Sequence, residues 1–470
     1  MKKILYVYVK GGAPLETAFP RLAACGELHV LALSPLPEAA KASWEPCCTS
    51  ITVHPGGLTP GEPVVEAIMA HAREIGADAL FTLSEFAVLA VANAADRLGL
   101  AGAGPGIRAA RDKRLMRQAW QAAGVPIPRF RRVDSAADLR GALAALTPPL
   151  LLKPAWGAGS VAQLVLTSQD QVADAWAEIE QALERGGQVG MNELFEQNTD
   201  GDRLVEEIMD GTTEGWYSED GYGDYLSVEG IVAKGIYHPL AITAKLPTVP
   251  PYIEVASTSP CVLPESLQRR IEDVSRRAVD ALGLDTCGTH TELKLRADGS
   301  LVVIEVGARF GGLLTTRQVE IAFELDPIGM LIREQLGEEV SYPQAMLVEG
   351  GRAAASVAVV PAAADGTPWK TQPLWDPEQV DWSRLLSPGS TVEAVPAFML
   401  PTGTQVPRFD PSGGSRNWLG VFLLTAYDAP TLLRDCRAIL DGMETALVAG
   451  CQVVALTTEG DEVGLEDGVE

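Results

Sequence analysis

Between His290 and Gly312 the chain reads HTELKLRADGSLVVIEVGARFGG, two apolar-rich runs around Asp298-Gly299, the strongest short signal for a β-hairpin. A two-residue turn there predicts that Ala297 faces Ser300, Leu293 faces Ile304 and Glu292 faces Glu305. A three-residue loop with a bulge would shift that register and break the pairing. In the first register two carboxylates stand opposite each other on one face, which destabilises a sheet unless a cation lies between them. Oxygen-only ligands suit Mg²⁺. Arg309 follows on the same face while the strand continues, beside the glycine turn Gly311-Gly312. Two acids, an arginine and a glycine turn point to phosphoryl transfer. The alternative is a pair of solvated glutamates on an exposed face.

A chain of 470 residues exceeds one ordinary core, so about two to four domains are expected. An apolar content of 47% excludes a disordered chain. With 62 acidic against 37 basic side chains the formal net charge is -25, which as a whole repels nucleic acid and anionic membranes. That balance leaves room for a local basic pocket. No apolar run has the length of a membrane span; GRAAASVAVVPAAA is short and is interrupted by Pro361. The start MKKILYVYVK has too short an apolar stretch for a signal peptide and reads as a first buried strand. Seven cysteines, without CxxC spacing, fit reduced thiols in a cytoplasmic protein. The five histidines form no zinc motif.

Strand and helix signals alternate over residues 1–105, as in an open parallel α/β domain. Strands are expected at KILYVYV, near Leu28 to Leu33 and at ALFTL, with helices from Pro63 to Ile75 and Ala87 to Leu98. Next comes a helix from Ala109 to Ala123, stopped by Gly124 and Pro126. PPLLLKP reads as a buried strand, Gln169 to Arg185 as a helix, and RLVEEIM as a strand. YLSVEGIVAKGIYHPLAITAK reads as two strands turned at Lys234-Gly235. Helices follow from Leu267 to Leu282 and from Thr315 to Leu336. Beyond about residue 340 the chain is richer in proline and glycine, with shorter strands and one late helix from Thr431 to Val448, as in a mixed α+β domain. The acidic tail EGDEVGLEDGVE is expected to fray.

Lys153 lies in LLKPAWGAGS, a strand, a lysine and then a glycine loop. Glycines let backbone N–H groups approach phosphate oxygens, and a lysine adds a point charge. This is not a Walker A loop, because the lysine precedes the glycines. An ordinary turn is the competing reading. Lys113 starts a helix in RDKRLMRQAW, where a solvated basic face competes with a phosphate contact. Glu206 ends a strand, and Glu214 follows Gly211; carboxylates there suit an amino group or ribose hydroxyls, or simply solvent.

In the order Lys113, Lys153, Glu206, Glu292, Glu305, Arg309 the chain resembles the ATP-grasp superfamily, and within it the bacterial L-amino acid ligases, or dipeptide synthetases. The resemblance is carried by ARDKRLMRQAWQAAGVPIP, PPLLLKPAWGAGS, VEEIMDG, DGYGDYLSVEGIV, THTELKL and IEVGARFGG. It implies an ATP-grasp fold, α/β and α+β multidomain, with a leading open parallel α/β domain at 1–105. The lysine and glycine-loop subdomain would span 106–202, the metal and substrate subdomain 203–338, and a C-terminal mixed α+β domain 339–470. It also implies that Lys113, Lys153 and the loop Gly157, Gly159, Ser160 hold the ATP phosphates. Glu206 and the backbone near Ile208 would hold adenine, and Glu214 the ribose. Glu292 and Glu305 would bind two Mg²⁺ (or Mn²⁺), and Arg309 the substrate carboxylate and the oxyanion. Gly312 and Leu313 would line the pocket of the acyl-donating amino acid. Where many family members have asparagine, two residues after the second glutamate, this chain has Gly307. The implied reaction joins two L-amino acids through an acyl phosphate, releasing ADP and phosphate. The rivals are a ligase for a non-amino-acid carboxylate in natural-product biosynthesis and a non-catalytic nucleotide-binding regulator. The implied partners are small-molecule amino acids, without nucleic acid or membrane; a homodimer is left open.

Overall fold

The computed structural model describes residues 1–54, 60–157, 163–188, 202–411 and 413–460. Its first sheet holds β1 (Lys3–Tyr8), β2 (Glu27–Ala32), β3 (Cys48–Val53) and β4 (Ala79–Phe81), all parallel, in the order β3-β2-β1-β4. The alternation of side chains along β1 explains the layers. Ile4, Tyr6 and Tyr8 pack with the helix Leu15–Ala23, while Leu5, Val7 and Val9 pack with the helices Glu62–Ile75 and Val88–Leu98. β3 escaped the sequence reading because CTSITV has no apolar run and lies half in solvent. Loops at the carboxyl ends of β1 and β4 carry Gly12 and Glu85, and both reach the site described below.

The second sheet is antiparallel, with β5 (Phe130–Val133), β6 (Leu150–Pro154), β7 (Leu164–Leu166) and β8 (Arg203–Glu207) in the order β5-β8-β6-β7. Before it, the expected single helix from Ala109 is two, Ile107–Arg111 and Lys113–Ala123. Asp112 leaves helical geometry between them (φ -91°, ψ 106°), and its carboxylate accepts from the Arg114 N–H at 2.9 Å as an N-cap. The expected stop at Gly124 is present, in the left-handed region at φ +68°.

The large antiparallel sheet contains β9 (Tyr225–Ala233), β10 (Ile236–Lys245), β11 (Ala256–Ser259), β12 (Cys287–Leu295), β13 (Leu301–Gly307) and β14 (Ala353–Val359). β15 (Leu374–Trp375) pairs with β17 (Thr404–Gln405) apart from it, while β16 (Thr391–Ala394) and β18 (Gly420–Ala426) complete it. The order of these eight strands is β13-β12-β9-β10-β11-β14-β18-β16. Strands from the C-terminal region therefore extend the sheet that carries Glu292 and Glu305. GRAAASVAVVPAAA supplies β14, buried at every residue. Among the described residues no helix is long and apolar enough to cross a membrane.

The β9–β10 turn is Lys234-Gly235 as expected, with both residues at positive φ (50° and 78°) as a type I′ turn requires. The expected helix from Thr315 to Leu336 is two, Thr315–Phe323 and Pro327–Gln335. Glu324 is left-handed (φ 55°), and Asp326 caps the second helix by accepting from the Gly329 N–H at 3.0 Å. The late helix, Ala429–Gly460, is longer than expected. The last ten residues, with most of the acidic tail, lie outside the described residues.

Candidate active site

The hairpin β12–β13 corrects the turn and restores the pairing. Its loop has three residues, Ala297 to Gly299: Arg296 N–H donates to Ser300 O at 3.1 Å, and Gly299 N–H to Arg296 O at 3.0 Å. Gly299 takes the left-handed position at φ +74°. Leu295 therefore faces Leu301 and Leu293 faces Val303, one residue off the two-residue-turn register. A bulge between Glu292 and Leu293 then skips Ile304, and Glu292 faces Glu305 after all.

Lys113, Lys153, Gly157, Glu206, Ile208, Glu292, Glu305, Arg309, Gly312 and Leu313 all line one cavity of about 540 Å³. Glu214 does not; it is exposed in the loop after Gly211, its backbone N–H held by the Thr212 hydroxyl at 3.1 Å. Gly159 and Ser160 lie outside the described residues.

Lys113 opens its helix against the glycine loop. Its backbone N–H donates to Ala155 O at 3.1 Å, its ammonium donates to Gly157 O at 2.8 Å, and the same ammonium lies 3.2 Å from Glu305. Lys153 is buried on β6 and contacts Glu206, which is buried completely on β8. The other Glu206 oxygen accepts from Arg117 Nε at 3.1 Å. The carboxylate expected to hold adenine is thus already shared by two cations. Burial lowers the Lys153 ammonium from its ordinary value; Glu206 opposes this, and Arg117 adds to it. Burial pushes Glu206 up, but Arg117 and Lys153 outweigh it and hold the carboxyl below its usual range.

Glu305 shows the same contest. Burial raises it, Lys113 and Lys153 lower it further, and it stands at about 2. Glu292 accepts from His290 Nε2 at 3.2 Å, and His290 Nδ1 contacts the fully buried Glu229. Burial alone would lower His290; the two glutamates raise it to about 9, so it is an imidazolium. Glu229 also accepts from the Gly311 N–H at 2.8 Å. No side chain fits at Gly311, where a Cβ would lie 2.8 Å from His290 Nδ1 and from the Thr315 hydroxyl.

Arg309 points one guanidinium N–H at Phe310 O, 3.0 Å away, and its Nε lies 2.6 Å from Glu85 of the first sheet's loop. Leu313 is half-buried and left-handed (φ 56°), with its N–H donated to Gly12 O at 3.3 Å. The lining also includes Lys245, Tyr225 and Glu254, with Lys245 3.4 Å from Glu254 and the Tyr225 hydroxyl donating to Glu254 at 3.0 Å.

Sequence reasoning missed Arg117, His290, Glu229, Lys245 and Glu85. Two had signals. Arg117 follows Lys113 by one helical turn, and His290 alternates with Glu292 on one strand face. The others are single charged residues in apolar runs, brought in by non-local pairing.

The donor set fits a divalent metal. Among the described residues no group of three or more His, Cys, Asp and Glu side chains could cage one. Two opposed carboxylates, Glu305 held ionised, instead suit Mg²⁺, which binds through one or two carboxylates plus phosphate and water oxygens.

Residues 146–317 match the model of the ATP-grasp domain. The chain is 34% identical over 290 residues to an alanine–anticapsin ligase of Bacillus subtilis (strain 168), and 33% identical over 290 residues to one of Bacillus amyloliquefaciens. Each match covers 61% of this chain, which spans 60% of the length of these curated relatives. The solved L-amino acid ligase from Bacillus licheniformis superposes with a TM-score of 0.68 at 20% identity, over 95% of this chain and 98% of that one.

Proposed function

We propose that the chain, whose residues 146–317 match the ATP-grasp domain, is an ATP-grasp ligase that joins two L-amino acids into a dipeptide, using ATP and passing through an acyl phosphate. One observation carries this reading. Lys113, Lys153, Glu292, Glu305 and Arg309, from separate segments, line a single cavity beside Leu313. The two ligases at 33–34% identity, whose names pair alanine with anticapsin, support an acid–amine ligation.

The roles follow from charge and position. Lys113 and Lys153 neutralise the ATP phosphates, and Lys245, also in the cavity lining, supplies a third cation. Glu206 holds Lys153 in place, and the backbone at Ile208 and Met209 faces the adenine edge. Glu292 and Glu305 would hold two Mg²⁺, which when bound neutralise the charge on the β- and γ-phosphates. Arg309 binds the donor carboxylate as it attacks the γ-phosphorus and ADP leaves. The neutral acceptor amine then attacks the acyl carbon, Arg309 stabilises the tetrahedral oxyanion, and phosphate departs with its bonding pair and takes up the proton that the nitrogen loses. Such chemistry needs positioning and charge neutralisation more than a side-chain nucleophile.

The test is a phosphate-release screen over pairs of amino acids, with the nucleotides separated after turnover. ADP and phosphate together with a dipeptide are expected. AMP and pyrophosphate would overturn the acyl-phosphate mechanism. Stabilisation by ATP-Mg²⁺ without turnover on any pair would favour a regulator, and turnover only with other carboxylates would move the donor class.

A further inference from the structure

Arg309 must keep one orientation while the group it binds changes from carboxylate to acyl phosphate to oxyanion. A long side chain does not do this unaided, since arginine has many rotamers of similar energy to choose from. The neighbour best placed to fix it comes from another part of the fold. Glu85 lies in the loop after β4 of the parallel sheet, and one carboxylate oxygen sits 2.6 Å from Arg309 Nε. Its other oxygen accepts from Arg111 at 2.8 Å. Arg111, 1% exposed, also donates to Trp156 O at 3.0 Å, at the root of the glycine loop that follows Lys153. Glu85 thus links the substrate arginine to the base of the phosphate loop.

Three further observations assign Glu85 to positioning rather than to substrate contact. It is not among the residues lining the cavity, and the oxygen facing Arg309 is closed to solvent and accepts no hydrogen bond, its contact with Nε being an ion pair. Using Nε for the ion pair leaves the terminal nitrogens of Arg309 for other partners; one of them donates to Phe310 O. At Gly307 a Cβ would lie 3.4 Å from Arg309 Cζ and from the same Glu85 oxygen, in ordinary van der Waals contact, so only a longer side chain there would have to pack against the pair.

We propose that Glu85 is a positioning residue for Arg309: the leading α/β domain supplies the carboxylate that fixes the guanidinium against the reacting acyl group. This rests on the reading of Arg309 given above. It makes the leading domain part of the active site and ties the arginine's orientation to the packing of that domain against the large sheet.

The test has an arm that needs no turnover and an arm that does. In the full chain labelled with ¹⁵N-arginine, the Arg309 Nε–H signal is identified by its loss in Arg309→Lys. Its exchange with solvent should be slow in the wild type and faster by about tenfold or more in Glu85→Ala, with Glu85→Gln between them, because the close carboxylate, itself closed to solvent, shields the Nε side of the guanidinium. In turnover, Glu85→Gln should lower kcat by about 10–100-fold with ATP-Mg²⁺ affinity within about twofold, the scale of a small misplacement of a reacting group. In the Arg309→Lys background the same change should cost less than about threefold, because residues acting as one unit are not additive. Unchanged Nε–H exchange overturns the proposal. So do losses that multiply in the double variant, or ATP affinity falling in step with kcat, which would mark a structural role. If Glu85→Ala does not fold, Glu85→Gln is read in both arms. If the wild type turns over no pair of amino acids, the ligase reading fails, and the exchange measurement alone decides whether Glu85 fixes Arg309.

Discussion

Arg309 offers the sharpest residue-level test, because its charge and its shape can be separated. Lysine keeps the charge but loses the planar fork that matches a carboxylate or a phosphate. Arg309→Lys should therefore lose about 10²–10³ in kcat, the usual cost of one oxyanion donor. ATP affinity should change little, because Lys113 and Lys153, the proposed phosphate contacts, still line the cavity. More than half of the wild-type turnover in this variant would remove Arg309 from the transition state. Leu313 tests specificity. It lines the cavity and also packs against the cluster of Leu314, Val395 and Val421, so both a pocket role and a core role are open to it. Leu313→Trp should reject large acyl donors while sparing glycine or alanine, since overfilling a packed site costs about 1–3 kcal/mol. The measurement is kcat/KM for small and large donors with one fixed acceptor, and equal losses would assign Leu313 to packing. Residues at this scale were legible in the sequence where they lay in or just after a recognisable strand, as Lys153, Glu305 and Arg309 do. Glu229 was not, because its partners His290 and Gly311 lie far away in the chain and meet it only through the pairing of β9 with β12.

At the scale of the element, the hairpin shows how a wrong turn can still give a correct pair. Asp298-Gly299 signals a turn but does not set its length, and the loop is one residue longer than the dipeptide suggests. The register slip this causes would put Glu292 and Glu305 out of opposition, but Ile304 is absorbed in a bulge. No local pattern distinguishes that residue from its apolar neighbours, so the compensation was not legible. The broken helices had clearer signals. Asp112 before Lys113 is a preferred N-cap, and Asp326-Pro327 is an N-cap followed by a helix-starting proline. If the two strands exist to oppose two carboxylates, these should behave as one metal site. Glu292→Gln and Glu305→Gln should each abolish turnover, and the double variant should be little worse, as for members of one unit. Raised Mg²⁺ should partly restore Glu305→Gln. Near-normal activity in either single variant would return both glutamates to the solvated-face reading.

For the whole molecule, periodicity recovered three of the four strands of the parallel sheet, the apolar runs β1, β2 and β4, and missed the half-exposed β3. It did not reveal that β14, β16 and β18 join β9 to β13 in one sheet, because composition changes near residue 340 while strand pairing leaves no local trace. What ties the second sheet to the large one is polar. Glu206 on β8 holds Lys153 of β6 and Arg117 of the helix Lys113–Ala123, and Arg117 donates to Ile304 O on β13 at 2.8 Å. Breaking a buried pair by removing one partner strands the remaining charge, at a cost of about 3–5 kcal/mol. Glu206→Gln should therefore be clearly less stable than the wild type near neutral pH. The pH dependence has a definite sign. Burial raises Glu206, but Arg117 and Lys153 together hold its folded value below the ordinary 4.5. Such a group contributes its full stabilisation above the unfolded value and loses it as pH falls through the folded one. The gap in unfolding midpoint between wild type and Glu206→Gln should thus be widest at pH 7 and shrink as the pH falls below 4.5. Urea or thermal unfolding of both proteins between pH 7 and pH 3 measures it, within about the range where carboxylates titrate. A gap that stays constant across that range would mean that Glu206 contributes shape and packing rather than charge at the junction of the two sheets.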